Sequence, residues 1–140
     1  MKSKVQVLLE EIAKTETRIE QMKFELESLE ENLTYIRALS YEKIGSGSRK
    51  NEAAFEDITD RIVDLGNNIK RDIAELAERK YDAVRLIQRL DNALQEKILH
   101  MRYIRSKPFA EIGSELGYDL NYIYKLHKRA LEKIEKFLGD

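Results

Sequence analysis

From Val5 to Ile36 apolar residues recur in a 3-4 alternation with no proline or glycine to interrupt them. One column is Val5, Ile12, Ile19, Leu26 and Leu33, and the other is Leu8, Thr15, Met22, Leu29 and Ile36. On an α-helix both columns fall on a single stripe. The pattern predicts a helix from about Lys4 to about Lys43, roughly 60 Å long at 1.5 Å per residue. Such a rod cannot cover its own stripe. Each large apolar group left in water forgoes roughly 1.5–3 kcal/mol of burial, so the stripe requires a partner helix.

The charges beside the stripe select the geometry of that partner. With Val5 at a heptad a position, a parallel in-register pair would set Glu11 against Glu16, Arg18 against Lys23 and Glu25 against Glu30. All three pairings join like charges, which repel. An antiparallel partner is therefore expected, either from the same chain or from a second copy. Gly45-Ser46-Gly47-Ser48 reads as a flexible connection suited to a helical hairpin. It lacks the Gly-Lys-Ser/Thr ending and preceding strand of a phosphate-binding loop. A second long helix is predicted from about Asn51 to about Leu90. Its stripe runs Phe55, Ile58, Ile62, Leu65, Ile69, Ile73, Leu76, Tyr81, Val84 and Ile87. The step from Ile69 to Ile73 makes that stripe drift. Gly66 inside the helix predicts a close helix–helix contact or a mild kink, with a functional hinge as the alternative. Two hairpins pairing into a four-helix bundle would cover more apolar surface than one hairpin alone.

Of 140 residues, 36% are charged, with one proline, six glycines and no cysteine. This composition favours long, surface-rich helices over a sandwich or barrel. It provides no disulfide framework, thiolate metal site or cysteine nucleophile. No apolar run approaches the roughly 20 residues that span a bilayer, and Met1-Lys2-Ser3-Lys4 lacks the apolar core of an export signal. A soluble, cytoplasmic protein without membrane contact is expected. The net charge of −1 argues against a protein that coats nucleic acid indiscriminately, so any DNA binding must come from local charge. His100 and His127, the two histidines, do not stand in metal-ligand spacing. No nucleophile–base set is visible, so no enzyme activity and no cofactor are expected.

The C-terminal segment has a different rhythm. Asp91-Asn92 provides a helix N-cap, and a helix is predicted from there to about Ile104. Pro108 suits the first turn of a short helix ending near Leu116, Gly117 suits a tight turn, and Asp119 suits the N-cap of a last helix, Leu120 to Leu138. On that last helix Ile123, Leu126, Ala130 and Ile134 share one face and should pack on Ile112 and Leu116. Asn121, Lys125, Lys128 and Glu132 share the opposite face, flanked by Tyr124 and Arg129. Two helices across a glycine turn, the second presenting polar and basic groups, have the layout of a DNA-reading helix-turn-helix. Asn121, Tyr124, Lys125, Lys128 and Arg129 are the candidate base readers. Arg102, Arg105 and Lys107, from the preceding helix end and turn, are candidate phosphate contacts. Tyr103, Phe109 and Tyr118 read as the core of this small domain.

The run Leu99-His100-Met101-Arg102-Tyr103-Ile104, followed by Pro108 to Gly117 and then by Arg129-Ala130-Leu131-Glu132-Lys133-Ile134, resembles region four of sigma factors. Gly113 and Leu120 depart from that pattern, which usually has alanine and a polar reader there. A long helical N-terminal part followed by a single such region resembles the ArpU/RinA-type late transcriptional regulators of phages. The resemblance implies an activator of late phage operons in the bacterial host cytoplasm, with double-stranded DNA as ligand and RNA polymerase as a second partner.

The expected architecture is all-α. Residues 1–90 form an antiparallel helical hairpin, or coiled coil, that serves homo-oligomerisation or partner binding. Residues 91–140 form a helix-turn-helix domain. Two alternatives share this architecture. One is a coiled-coil interaction protein that docks on RNA polymerase or another regulator; the other is a small-terminase-like DNA-packaging subunit.

Overall fold

The computed structural model describes residues 3–42 and 48–139. Among the described residues every regular element is helical: α1 (Lys4–Glu42), α2 (Ser48–Ile87), α3 (Ala93–Leu99), α4 (Phe109–Leu116) and α5 (Leu120–Gly139). α3 continues as π-helical turns over His100–Ile104. The expected all-α class and long N-terminal helix pair are both present. The connection expected at Gly45–Gly47 lies outside the described residues, and Ser48, expected in it, already belongs to α2.

Two compact units make up the chain: Met1–Glu16 together with Leu76–Asp140, and Thr17–Glu75. This division differs from the boundary expected at Asp91, because the ends of α1 and α2 share a core with α5. Val5, Leu9 and Ile12 of α1, Ala83 and Ile87 of α2, and Leu90 bury themselves with Leu99, Ala130 and Ile134. Sequence periodicity within one helix carries no information about which distant helix will cover it. For that reason Leu9, off the predicted stripe, is buried, while Leu8, on it, is only half-buried. The α1 backbone is tied in as well. Ser3 Oγ accepts the Gln6 N–H at 3.1 Å, and the Glu135 carboxylate of α5 accepts the Val5 N–H at 3.1 Å. Both satisfy donors that the first helical turn leaves without intrahelical partners.

The same unit holds a polar layer in the hairpin. Thr15 is fully buried at its core position. Its hydroxyl donates to the Glu11 carbonyl at 2.8 Å and accepts from Arg79 Nη1 at 2.6 Å. Lys80 pairs with Glu16 at 2.6 Å. A buried hydroxyl in an apolar column would cost stability without such partners.

Within Thr17–Glu75, α1 and α2 run antiparallel. Arg18 Nε donates to Asp72 Oδ2 at 2.8 Å, whereas Arg37, later in α1, lies 5.2 Å over the ring of Phe55, earlier in α2. Ile19, Leu65 and Ile69 are buried. Leu26, Leu29, Leu33, Ile58 and Ile62 are only half-buried. After Ile69 the inward position passes to Asp72, which meets Arg18, so Ile73 turns outward at 45% exposure. In the other unit Tyr81, also on the predicted stripe, is exposed too.

The close helix–helix contact expected at Gly66 is absent. A Cβ built there meets nothing within 4 Å, so no neighbouring helix approaches closely enough to require glycine. By contrast, Gly117 ends α4 with φ 75°, in the left-handed region. The same substitution should therefore act in opposite directions at the two sites. In urea denaturation, Gly66→Ala is expected to raise the unfolding free energy by about 0.5–1 kcal/mol. Gly117→Ala is expected to lower it by about 1–2 kcal/mol.

Candidate nucleic-acid interface

Three residues separate α4 from α5, and their geometry follows from local chemistry. Gly117 adopts the left-handed conformation that a residue with Cβ resists. This lets the N–H groups of Gly117 and Tyr118 both donate to the Gly113 carbonyl, at 2.9 and 3.0 Å. Gly113 itself must stay small, since a Cβ there would stand 3.0 Å from the Tyr118 carbonyl oxygen and 3.6 Å from Ile123 Cγ1. At the start of α5, Asp119 accepts twice. Its carboxylate takes the Asn121 N–H at 3.3 Å and its carbonyl the Ile123 N–H at 3.1 Å. The capping expected of Asp119 and of Asn92, whose side chain accepts the Gln95 N–H at 3.0 Å, is present.

The inward face of α5 engages two cores in succession. Ile123 and Leu126 pack with Ile98, Met101 and Ile112, with Phe109 and Leu116 at the edge. Ala130 and Ile134, further along, belong to the core built with α1 and α2. This fixes the helix in rotation and leaves Asn121, Tyr124, Lys125, Lys128 and Arg129 exposed together. Lys125, Lys128 and Arg129 enter none of the ion pairs among the described residues. Tyr124 is held by an edge-on contact with Phe109, ring centroids 5.0 Å apart.

The three candidate phosphate residues differ in their surroundings. Arg105 is exposed. Arg102 is engaged inside the domain, where its guanidinium lies 4.2 Å from the Phe109 ring centroid and Nη1 donates to the Lys107 carbonyl at 3.2 Å. Lys107 Nζ pairs with Glu115 Oε1 at 2.5 Å. Both side chains shape the turn leading into α4. That turn also draws on the π segment, closed by the Arg105 N–H donating to the His100 carbonyl at 3.1 Å, and on Ser106 at φ 55°. The Ser106 hydroxyl donates to the Glu16 carboxylate, which anchors the turn on α1.

The sequence pattern did not reveal the tyrosine pair Tyr118 and Tyr122. Tyr118, read as core, is 45% exposed and faces Tyr122 with ring centroids 5.2 Å apart. The residue after such a glycine cap commonly packs back on its helix, so no local pattern marks Tyr118 as exposed.

Beneath α5, Tyr103 Oη and His127 Nε2 share a hydrogen bond of 2.6 Å, and His127 sits edge-on to Phe109 with ring centroids 4.8 Å apart. Burial, reinforced by the nearby Arg102 charge, lowers the His127 pKa to about 4. Burial likewise raises Tyr103 to about 12, with Glu10 acting in the same direction and Arg102 against it. The pair is neutral at physiological pH.

No group of three or more potential metal-ligating side chains occurs among the described residues, and no described helix is long and apolar enough to cross a membrane. Over residues 36–135 the chain matches the family described as "Protein of unknown function (DUF1492)". No curated protein and no solved structure matches it.

The His127 environment has a measurable consequence. The unfolded chain takes up a proton near the ordinary histidine value of 6.5, while folded His127 stays neutral down to about 4. Between those values the unfolded state binds more protons, so stability present above pH 6.5 is lost as pH falls. The melting temperature is expected to drop between pH 7 and 5, and to drop less in His127→Gln.

Proposed function

The chain belongs to the DUF1492 family, and we propose that it is a sequence-specific DNA-binding transcription regulator whose α5 enters a major groove. The observation that carries this reading is the rotation of α5. One face is fixed by Ile123, Leu126, Ala130 and Ile134, and the other leaves an amide, a tyrosine and three cations in the open. Asn121 suits adenine, which offers one acceptor and one donor to an amide. Lys125, Lys128 and Arg129 suit guanine acceptors or phosphates. Arg105, on the preceding turn, suits the DNA backbone. Arg102 and Lys107 act indirectly by holding that turn. The likeness of Leu99–Gly117 and Arg129–Ile134 to sigma region four supports the same reading, and extends it to activation of late phage operons alongside RNA polymerase.

A single small module makes a modest DNA interface, roughly 600–1,000 Å² of protein surface. Two modules on one scaffold would read two half-sites and gain avidity. The half-buried stripe of the unit Thr17–Glu75 favours such pairing through a second copy of the hairpin. Sedimentation equilibrium at micromolar concentration is expected to return the mass of a dimer or higher oligomer, and a purely monomeric mass would remove this part of the proposal.

DNA binding itself is tested by footprinting and by titration at several salt concentrations. Lys125→Ala is expected to weaken binding to the preferred site by about 1–3 kcal/mol. Arg105→Ala should weaken binding to all duplexes alike and flatten the salt dependence by about one unit. Co-purification with RNA polymerase without any protected DNA would favour an interaction protein instead.

A further inference from the structure

We infer that the first turn of α5 reads thymine methyl groups, so that the part of the DNA site beneath Leu120, Asn121 and Tyr124 is rich in A·T pairs. The inference rests on the proposed docking of α5 in a major groove and adds the chemistry that selects the base.

Leu120 is 38% exposed and Tyr124 45% exposed at the end of the helix that would enter the groove. They stand four residues apart, one turn above the other on the same side of α5, with Asn121 beside them. Base edges in the major groove present hydrogen-bonding groups at every pair, and the one apolar group among them is the thymine C5 methyl. An apolar side chain set against any other edge would bury a donor or acceptor without a partner. Set against thymine it gains contact area instead. Asn121 complements this, because an amide fits the N6 and N7 groups of adenine, the partner of thymine.

The arrangement of cations agrees. The first turn itself, Leu120 to Ile123, carries neither lysine nor arginine, the side chains that read guanine; Lys125 is the first cation of α5. Guanine contacts therefore begin no earlier than Lys125, and the first turn is left to A·T pairs. Tyr124 is also oriented for the task. Its ring meets Phe109 edge-on at 5.0 Å, and Phe109 is in turn covered by the Arg102 guanidinium at 4.2 Å. Arg102 is thus a positioning residue for the apolar reader.

The test uses the full chain. Duplexes are enriched from a random pool, and the preferred site is then titrated with thymine or with uracil, which lacks only the C5 methyl, at each thymine position in turn. The expected result is an A·T-rich block at one end of each half-site, with affinity falling about fourfold for each contacted methyl removed. Leu120→Ala, a change at an exposed position, should reduce the difference between the thymine and uracil duplexes. A G·C-rich site, or equal binding of the two duplexes at every position, overturns the inference while leaving DNA binding intact. If no duplex is enriched, the proposed function fails first and this inference with it. The uracil comparison needs no variant protein, so it stands even if Leu120→Ala does not fold.

Discussion

The inward face of α5 is the constraint on which the rest of the C-terminal unit depends. Four residues at helical spacing, Ile123, Leu126, Ala130 and Ile134, are nearly or fully removed from water. The first two are held by α3 and α4, the last two by the ends of α1 and α2. A helix packed against one neighbour can roll, whereas one gripped by different partners along its length cannot. The orientation of Asn121, Lys125, Lys128 and Arg129 is therefore a consequence of apolar burial elsewhere. The long hairpin helices take part in this directly, since Val5, Leu9 and Ile12 stand in the same core as Ala130 and Ile134.

Polar contacts refine what burial sets. Glu135 of α5 caps the first turn of α1, and Glu16 of α1 receives both Lys80 and Ser106. The turn before α4 is thereby attached to the hairpin end. The Arg102–Phe109–Tyr124 contacts and the neutral Tyr103–His127 pair fill the space between that turn and α5. Within this unit the hairpin end forms part of the wall of the proposed reading domain.

Much of this was legible in the sequence because the relevant physics is local. The heptad stripe, the caps at Asn92 and Asp119, the left-handed glycine at 117 and the apolar face of α5 each depend on residues a few positions apart. The antiparallel partner expected for the first stripe is present within the chain, where Arg18 finds Asp72 and Glu16 finds Lys80. What escaped depends on distant partners. Leu9 displaced Leu8 from the core because α5 covers that side of α1. Arg102 and Lys107 stand against Phe109 and Glu115, contacts that sequence spacing does not reveal. The π turns at His100–Ile104 have no comparable local code and accompany the Lys107 N–H bonding back to the Met101 carbonyl at 2.9 Å. Gly66 suggested a close contact, yet open space surrounds it.

The central claim is that the outward face of α5 meets DNA. Photocrosslinking of the full chain to a duplex pool enriched by selection tests it most directly, with a photoreactive residue placed in turn at Asn121, at Lys128 and, as a control, at Lys14 on α1. The account predicts crosslinks to base-proximal positions from 121 and 128 and none from 14. Crosslinks confined to position 14, or a pool in which no duplex is enriched, would contradict it.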